Sequence, residues 1–130
     1  MKYFTINELT RSATAKRLGI DNSAKKNIRL NLEALGTNIL DPLREAWGAP
    51  IIVTSGYRCQ RLNKAVGGAS NSQHLYGQAA DIRTVSDRRE DNMKLLRKII
   101  EMELPFDKLI AEYVIKNWSF SYTYIYFSTL

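Results

Sequence analysis

Apolar positions recur every three or four residues through the first part of the chain and gather into short runs further on. Ile28, Leu32, Leu35, Ile39, Leu43 and Trp47 fall on one helical face. They predict a helix that begins near residues 21–23 and ends at Gly48 and Pro50. Pro42 lies inside this pattern, where a proline removes a backbone donor and crowds the preceding turn, so a kink or break is expected near Asp41. Upstream, Thr5 and Glu8 have the spacing of a capping box, which predicts a short helix closed near Gly19. Ile51, Ile52, Val53 and Thr54 form a β-branched run that predicts a buried strand. Residues 61–66 predict a short helix ended by Gly67 and Gly68, and residues 69–72 a loop. A second strand is expected over 79–83, followed by a helix over about 87–103 with Met93, Leu96, Ile99 and Ile100 inward. Pro105 separates that helix from a third strand over 108–113, and the aromatic and β-branched stretch 119–128 predicts a fourth. Helices first, then strands interrupted by one more helix, predict an α+β fold with a small, mostly antiparallel sheet and flanking helices.

Length and composition narrow the picture. The 130 residues suit a single domain with one modest core, and 45% apolar with 25% charged residues is the composition of a globular chain ordered over most of its length. The net charge of +6 would suit an anionic partner, either nucleic acid or an acidic cell wall. Lysine and arginine are nevertheless scattered from Lys2 to Lys116 rather than massed, the pattern of a solvated surface, so no nucleic-acid partner is expected. Cys59 is the sole cysteine, which excludes an internal disulfide, and no second histidine exists to make it a nucleophile. Residues 1–8 lack the apolar run of a signal peptide, and no stretch approaches the roughly 20 apolar residues of a membrane span. The expectation is cytoplasmic synthesis, with any action at a cell wall following release.

The chemistry concentrates in residues 72–82. Here stands the sole histidine, His74, and further on Asp81 followed by apolar Ile82. Gly77 permits an unusual backbone angle, and Ala79 and Ala80 leave space around His74 and Asp81. A neutral imidazole and a carboxylate suit zinc, whose catalytic sites take three protein ligands and a water.

The pattern Ser72-x-His74-x-x-Gly77-x-Ala79-x-Asp81 resembles the central motif of the LAS-type zinc metallopeptidases, the group of lysostaphin, the D-alanyl-D-alanine carboxypeptidases and hedgehog. Thr54-Ser55-Gly56-Tyr57-Arg58 is similar to a second motif of the carboxypeptidase branch, and the two stand in that family's order. The N-terminal helical part is similar to small phage and prophage endolysin-like members. The resemblance covers about residues 4–112 and implies a hedgehog/DD-peptidase-like fold. It also implies zinc held by His74 and Asp81, with Arg58, Ser72 and Gln73 on substrate and Arg58 also polarising the scissile carbonyl. The substrate implied is the D-amino-acid-containing stem peptide of peptidoglycan, cut by carboxypeptidase or endopeptidase chemistry.

The tail, residues 113–130, departs from this pattern. The family places its third ligand, a histidine, in a final strand, and residues 113–130 contain none. Aligning the Ser121-Tyr122 pair brings Ser119 to the ligand position, and aligning Trp118 brings Phe120 there. Glu112 is the acidic residue late enough in the chain to act as base or substitute ligand. The departure is expected from either a degenerate relative that binds without cutting or a change of reading frame after about Glu112. Beside the peptidase reading stand two others: a non-catalytic peptidoglycan-binding module and a basic nucleic-acid-binding domain.

Overall fold

A computed structural model of the chain describes the backbone of residues 1–116 and 119–128 and the side chains of residues 1–111. The N-terminal helical segment is two helices rather than one, α1 (Ile6–Thr10) and α2 (Ala13–Leu18). The Thr5 hydroxyl caps α1 by accepting from Glu8 N. Arg11 then turns extended, and the Ser12 hydroxyl opens α2 by accepting from Ala15 N. Gly19, at φ +66°, closes α2 in the left-handed region, as expected from sequence.

The long helix starts later than its apolar pattern predicts, because residues 21 and 22 are engaged elsewhere. The Asp21 carboxylate accepts from Ser23 N at 2.9 Å. Asn22 is a buried tie between three segments. Its amide donates to Thr10 O at 2.8 Å and Tyr57 O at 2.9 Å, and its carbonyl accepts from Cys59 N at 2.8 Å. Helix α3 (Lys26–Leu35) runs through a π-helical turn (Gly36–Leu40) into α4 (Asp41–Trp47). The expected kink at Pro42 takes this form: Asp41 N reaches back to Gly36 O, and the wider turn leaves Pro42 in the first turn of α4.

Strands β1 (Ile51–Ser55), β2 (Ala79–Thr84), β3 (Lys108–Lys116) and β4 (Ser119–Ser128) form one sheet in the order β1-β2-β4-β3, with every pairing antiparallel. Helix α5 (Gln60–Ala65) and a 3-10 turn (Gln73–Tyr76) lie between β1 and β2, and α6 (Arg89–Met102) lies between β2 and β3. This is the α+β arrangement, with a small antiparallel sheet and flanking helices, that the sequence predicts. Leu9, Leu32, Leu35, Ile39, Leu40 and Leu43 pack with Ile82, Leu95 and Ile99 in one core, each fully buried. Burial of each such aliphatic side chain is worth about 1.5–3 kcal/mol.

The inner face of α6 differs from the expectation. Asn92, Leu95 and Ile99 are buried, whereas Ile100 is 58% exposed. Asn92 sets this face. Its carbonyl accepts from Thr84 N at 2.9 Å and Thr84 Oγ1 at 2.7 Å, and its amide donates to Asp87 at 3.0 Å. Along β2, Ala80 and Ile82 belong to the core, so alternation turns Asp81 to the other face of the sheet. Among the described residues, no helix is long and apolar enough to cross a membrane.

Candidate metal centre

The site begins at the end of β1. A Cβ on Gly56 would lie 2.2 Å from the Leu9 carbonyl oxygen, so only glycine lets the chain pass α1 here. Tyr57 N donates to that same oxygen at 2.8 Å, which fixes the crossing. The crossing aims the Gly56 carbonyl at His74, whose Nδ1 lies 2.6 Å away. Nδ1 therefore carries the proton and donates, and Nε2 is the nitrogen with a lone pair. Nε2 lies 3.5 Å from Asp81 Oδ2.

His74 reaches this point from the 3-10 turn. The Ser72 hydroxyl caps that turn by accepting from His74 N at 3.2 Å, and Gly77 closes it at φ +69°. A side chain at Gly77 would meet Ile28 and Leu32 at 3.0–3.1 Å, so the turn packs directly on α3. His74 is 2% exposed. Asp81 is set by β1, where Ser55 is its register partner and Thr54 Oγ1 donates to its backbone carbonyl at 3.3 Å.

Two ligands about 2.0–2.1 Å from one zinc ion, at a tetrahedral angle, stand about 3.3 Å apart. The His74–Asp81 separation matches that spacing. The second carboxylate oxygen, Asp81 Oδ1, is buried and has no hydrogen-bond partner among the described residues. Such an oxygen is costly to bury, and a cation beside it would remove the cost. The imidazole held through Nδ1 by a backbone carbonyl is also the arrangement that fixes a metal-binding tautomer. The donor set thus fits zinc at two positions.

Arg58 stands beside this pair. Its backbone N donates to His74 O at 3.0 Å, and its Nη2 reaches Ser72 Oγ at 3.5 Å. Ser72 therefore links the guanidinium to the turn that carries the histidine. Gln73 contributes a buried Oε1 that has no hydrogen-bond partner among the described residues. The side chain of Glu112 lies outside the described residues; its backbone pairs with Tyr124 in β3–β4. Among the described residues, no group of three His, Cys, Asp or Glu side chains is placed to hold a metal.

The sheet register corrects one expectation about the tail. Ser119 pairs with Lys116 and Phe120 with Ile115, at the hairpin end, whereas β4 meets β2 over residues 125–128. The position across from Asp81 is Tyr126. Hydrogen-bond register, not the aromatic spacing of the tail, decides which residue comes level with the pair.

The profile of the family described as Peptidase M15 matches residues 2–114. The chain belongs to the peptidase M15 family. That match spans the two motifs, the His74–Asp81 pair and Arg58. A zinc D-Ala-D-Ala carboxypeptidase from Streptomyces albus G is 52% identical over 44 residues. These amount to 33% of this chain and 17% of that protein's length.

Two features around this pair in the M15 chain were not foreseen from sequence. The Gly56 carbonyl as the partner of His74 has a signal only in the glycine of Thr54-Ser55-Gly56-Tyr57-Arg58. The other is a half-open groove of about 550 Å³ beside Arg58, which also takes in Arg11 and Lys16 from the α1–α2 region. Nothing in the sequence brings those two side chains to the β1 end.

Proposed function

We propose that this chain is a zinc-dependent peptidase of the M15 type directed at D-amino-acid-containing stem peptides of peptidoglycan. In this reading His74 and Asp81 hold the ion, and hydrolysis is slow or absent because no second imidazole is available. The observation that carries it is the His74 geometry, with Nδ1 on Gly56 O at 2.6 Å and Nε2 facing Asp81 at 3.5 Å. When bound, zinc lowers the pKa of a water and polarises a carbonyl. The remaining work belongs to the chain. Arg58, permanently charged and forked, takes a substrate carboxylate or the scissile carbonyl, and Ser72 sets its position. Gln73 borders the peptide, and Glu112 is the acidic residue assigned to proton transfer. The kinship with a D-Ala-D-Ala carboxypeptidase supports removal of a terminal D-alanine, with opening of a cross-bridge as the alternative cut.

One observation favours a second reading, a peptidoglycan-binding module without hydrolysis: the sequence holds 1 histidine where the family pattern needs two. Metal analysis of the purified protein, with His74→Ala and Asp81→Asn beside it, tests the core of both readings. Zinc is expected in the parent and lost from both variants. Equal zinc in parent and His74→Ala would remove the metal centre from either account. Slow D-alanine release from a synthetic D-Ala-D-Ala peptide, abolished by a chelator, marks the peptidase, whereas retention on peptidoglycan with or without a chelator marks the binding module.

A further inference from the structure

Resting on the stem-peptide reading, we propose that Arg11 and Lys16 form a second recognition point, which binds a carboxylate on the peptide away from the scissile bond. The groove beside the metal pair is lined by Arg11, Lys16 and Arg58 together with Thr54, Ser55 and Tyr57. Arg11 and Lys16 have no acidic neighbour among the lining residues. Arg11 and Lys16 are exposed and make no ion pair among the described residues. Two cations facing one concave space without a lining carboxylate favour an anionic occupant, and concave walls strengthen their field; Arg11 also borders a second hollow, beside Glu8 and Arg44.

The groove adjoins the centre through the backbone, although His74 and Asp81 do not line it. Ser55 is the register partner of Asp81, Thr54 Oγ1 donates to the Asp81 carbonyl, and Arg58 N donates to the His74 carbonyl. With Arg58 on the reacting carbonyl rather than on the terminal carboxylate, a peptide extended from His74 and Asp81 along this wall runs toward α2. A free carboxylate on an interior residue then meets Arg11 and Lys16. The ligand class is an acidic peptide, and the same cations would also accept a phosphate from a wall polymer.

The experiment uses the full chain and two synthetic pentapeptides ending in D-Ala-D-Ala, one with Glu and one with Gln at an interior position, with binding read by calorimetry. Arg11→Gln and Lys16→Gln are each expected to weaken the Glu peptide about two- to fivefold, and about tenfold together, as for solvent-accessible ion pairs. The Gln peptide should bind the parent and both variants alike. Arg17→Gln, a neighbouring exposed residue of α2 outside the groove lining, serves as the charge control and should bind like the parent. Equal loss for both peptides, or no loss for either, overturns the proposal while leaving the stem-peptide reading in place. Failure of the parent to bind either peptide overturns both. Inorganic phosphate supplies a further arm: if it binds at Arg11 and Lys16 while the two peptides bind equally, the site reads phosphate and the carboxylate assignment fails.

Discussion

Substituting Gly56→Ala probes the crossing on which the whole centre is hung. The new Cβ would lie 2.2 Å from Leu9 O and 3.0 Å from Leu9 C, both backbone atoms that cannot rotate away. Overpacking of this kind costs about 1–3 kcal/mol. Shifting the strand end also stretches the Tyr57 N to Leu9 O bond, worth about 0.5–1.5 kcal/mol. A loss of about 3 kcal/mol follows. With about 2.1 cal/mol/K per residue, 130 residues carry an unfolding entropy of about 0.27 kcal/mol/K, so the melting temperature falls by about 11 °C. Gly48→Ala is the comparison, since its Cβ meets nothing within 4 Å and only the φ of +76° is strained. That strain costs about 1 kcal/mol, or about 4 °C. Displacing the Gly56 carbonyl from His74 Nδ1 should further lower zinc affinity about 10- to 100-fold, the usual effect of losing a ligand's outer hydrogen bond. Calorimetric melting and competition with a zinc-binding dye give the two readouts. Equal melting of the two variants, with zinc uptake unchanged, would refute the reasoning.

Three further outcomes are expected. Asn22→Ala removes three hydrogen bonds to Thr10, Tyr57 and Cys59 at a buried position, and denaturant unfolding should show a loss of about 2–4 kcal/mol with an unchanged m value. Tyr126→His places an imidazole at the register partner of Asp81 and should raise zinc affinity at least about tenfold, whereas histidine at 119 or 120 should leave it unchanged; dye competition measures both. Burial, followed by the charges of Cys59 and Asp21, holds the Tyr57 phenol above the ordinary tyrosine range. The folded state thus favours the neutral phenol. Its contribution to stability is complete below the unfolded pKa near 10 and is lost as pH rises through the higher folded value. Ultraviolet titration of the parent against Tyr57→Phe should show the missing phenol titrating late, and an early titration would contradict the burial argument.

The parts of this fold that rest on local chemistry are legible in the sequence. The stripe Leu32, Leu35, Ile39 and Leu43 marks the buried face of α3 and α4, and the β-branched run at 51–54 marks β1. His74 and Asp81 are legible because a glycine turn and small alanines surround them at fixed spacing. The remainder depends on contacts between distant segments. Ser12 reads as an ordinary mid-helix serine until its hydroxyl is seen capping α2. Asn22 reads as a helix start until its three partners arrive from elsewhere in the chain. Asn92, polar by type, takes a place on the inner face because the Thr84 N–H and hydroxyl need an acceptor there, while Ile100 stays exposed. The position level with Asp81 follows from strand register, which a one-dimensional alignment of the tail does not encode.

The strand order has a consequence for how this protein is made. β4 is translated after β3, yet it lies between β3 and β2 in the finished sheet. Until it emerges from the ribosome, β3 has no neighbour to join, and the open side of β2 presents bare amides and carbonyls beside Asp81. Exposed strand edges of this kind invite pairing with other chains. A nascent chain stalled before residue 119 would therefore be a substrate for chaperones or a seed for aggregation, and a rewritten tail can persist only if it still supplies a strand to close that gap.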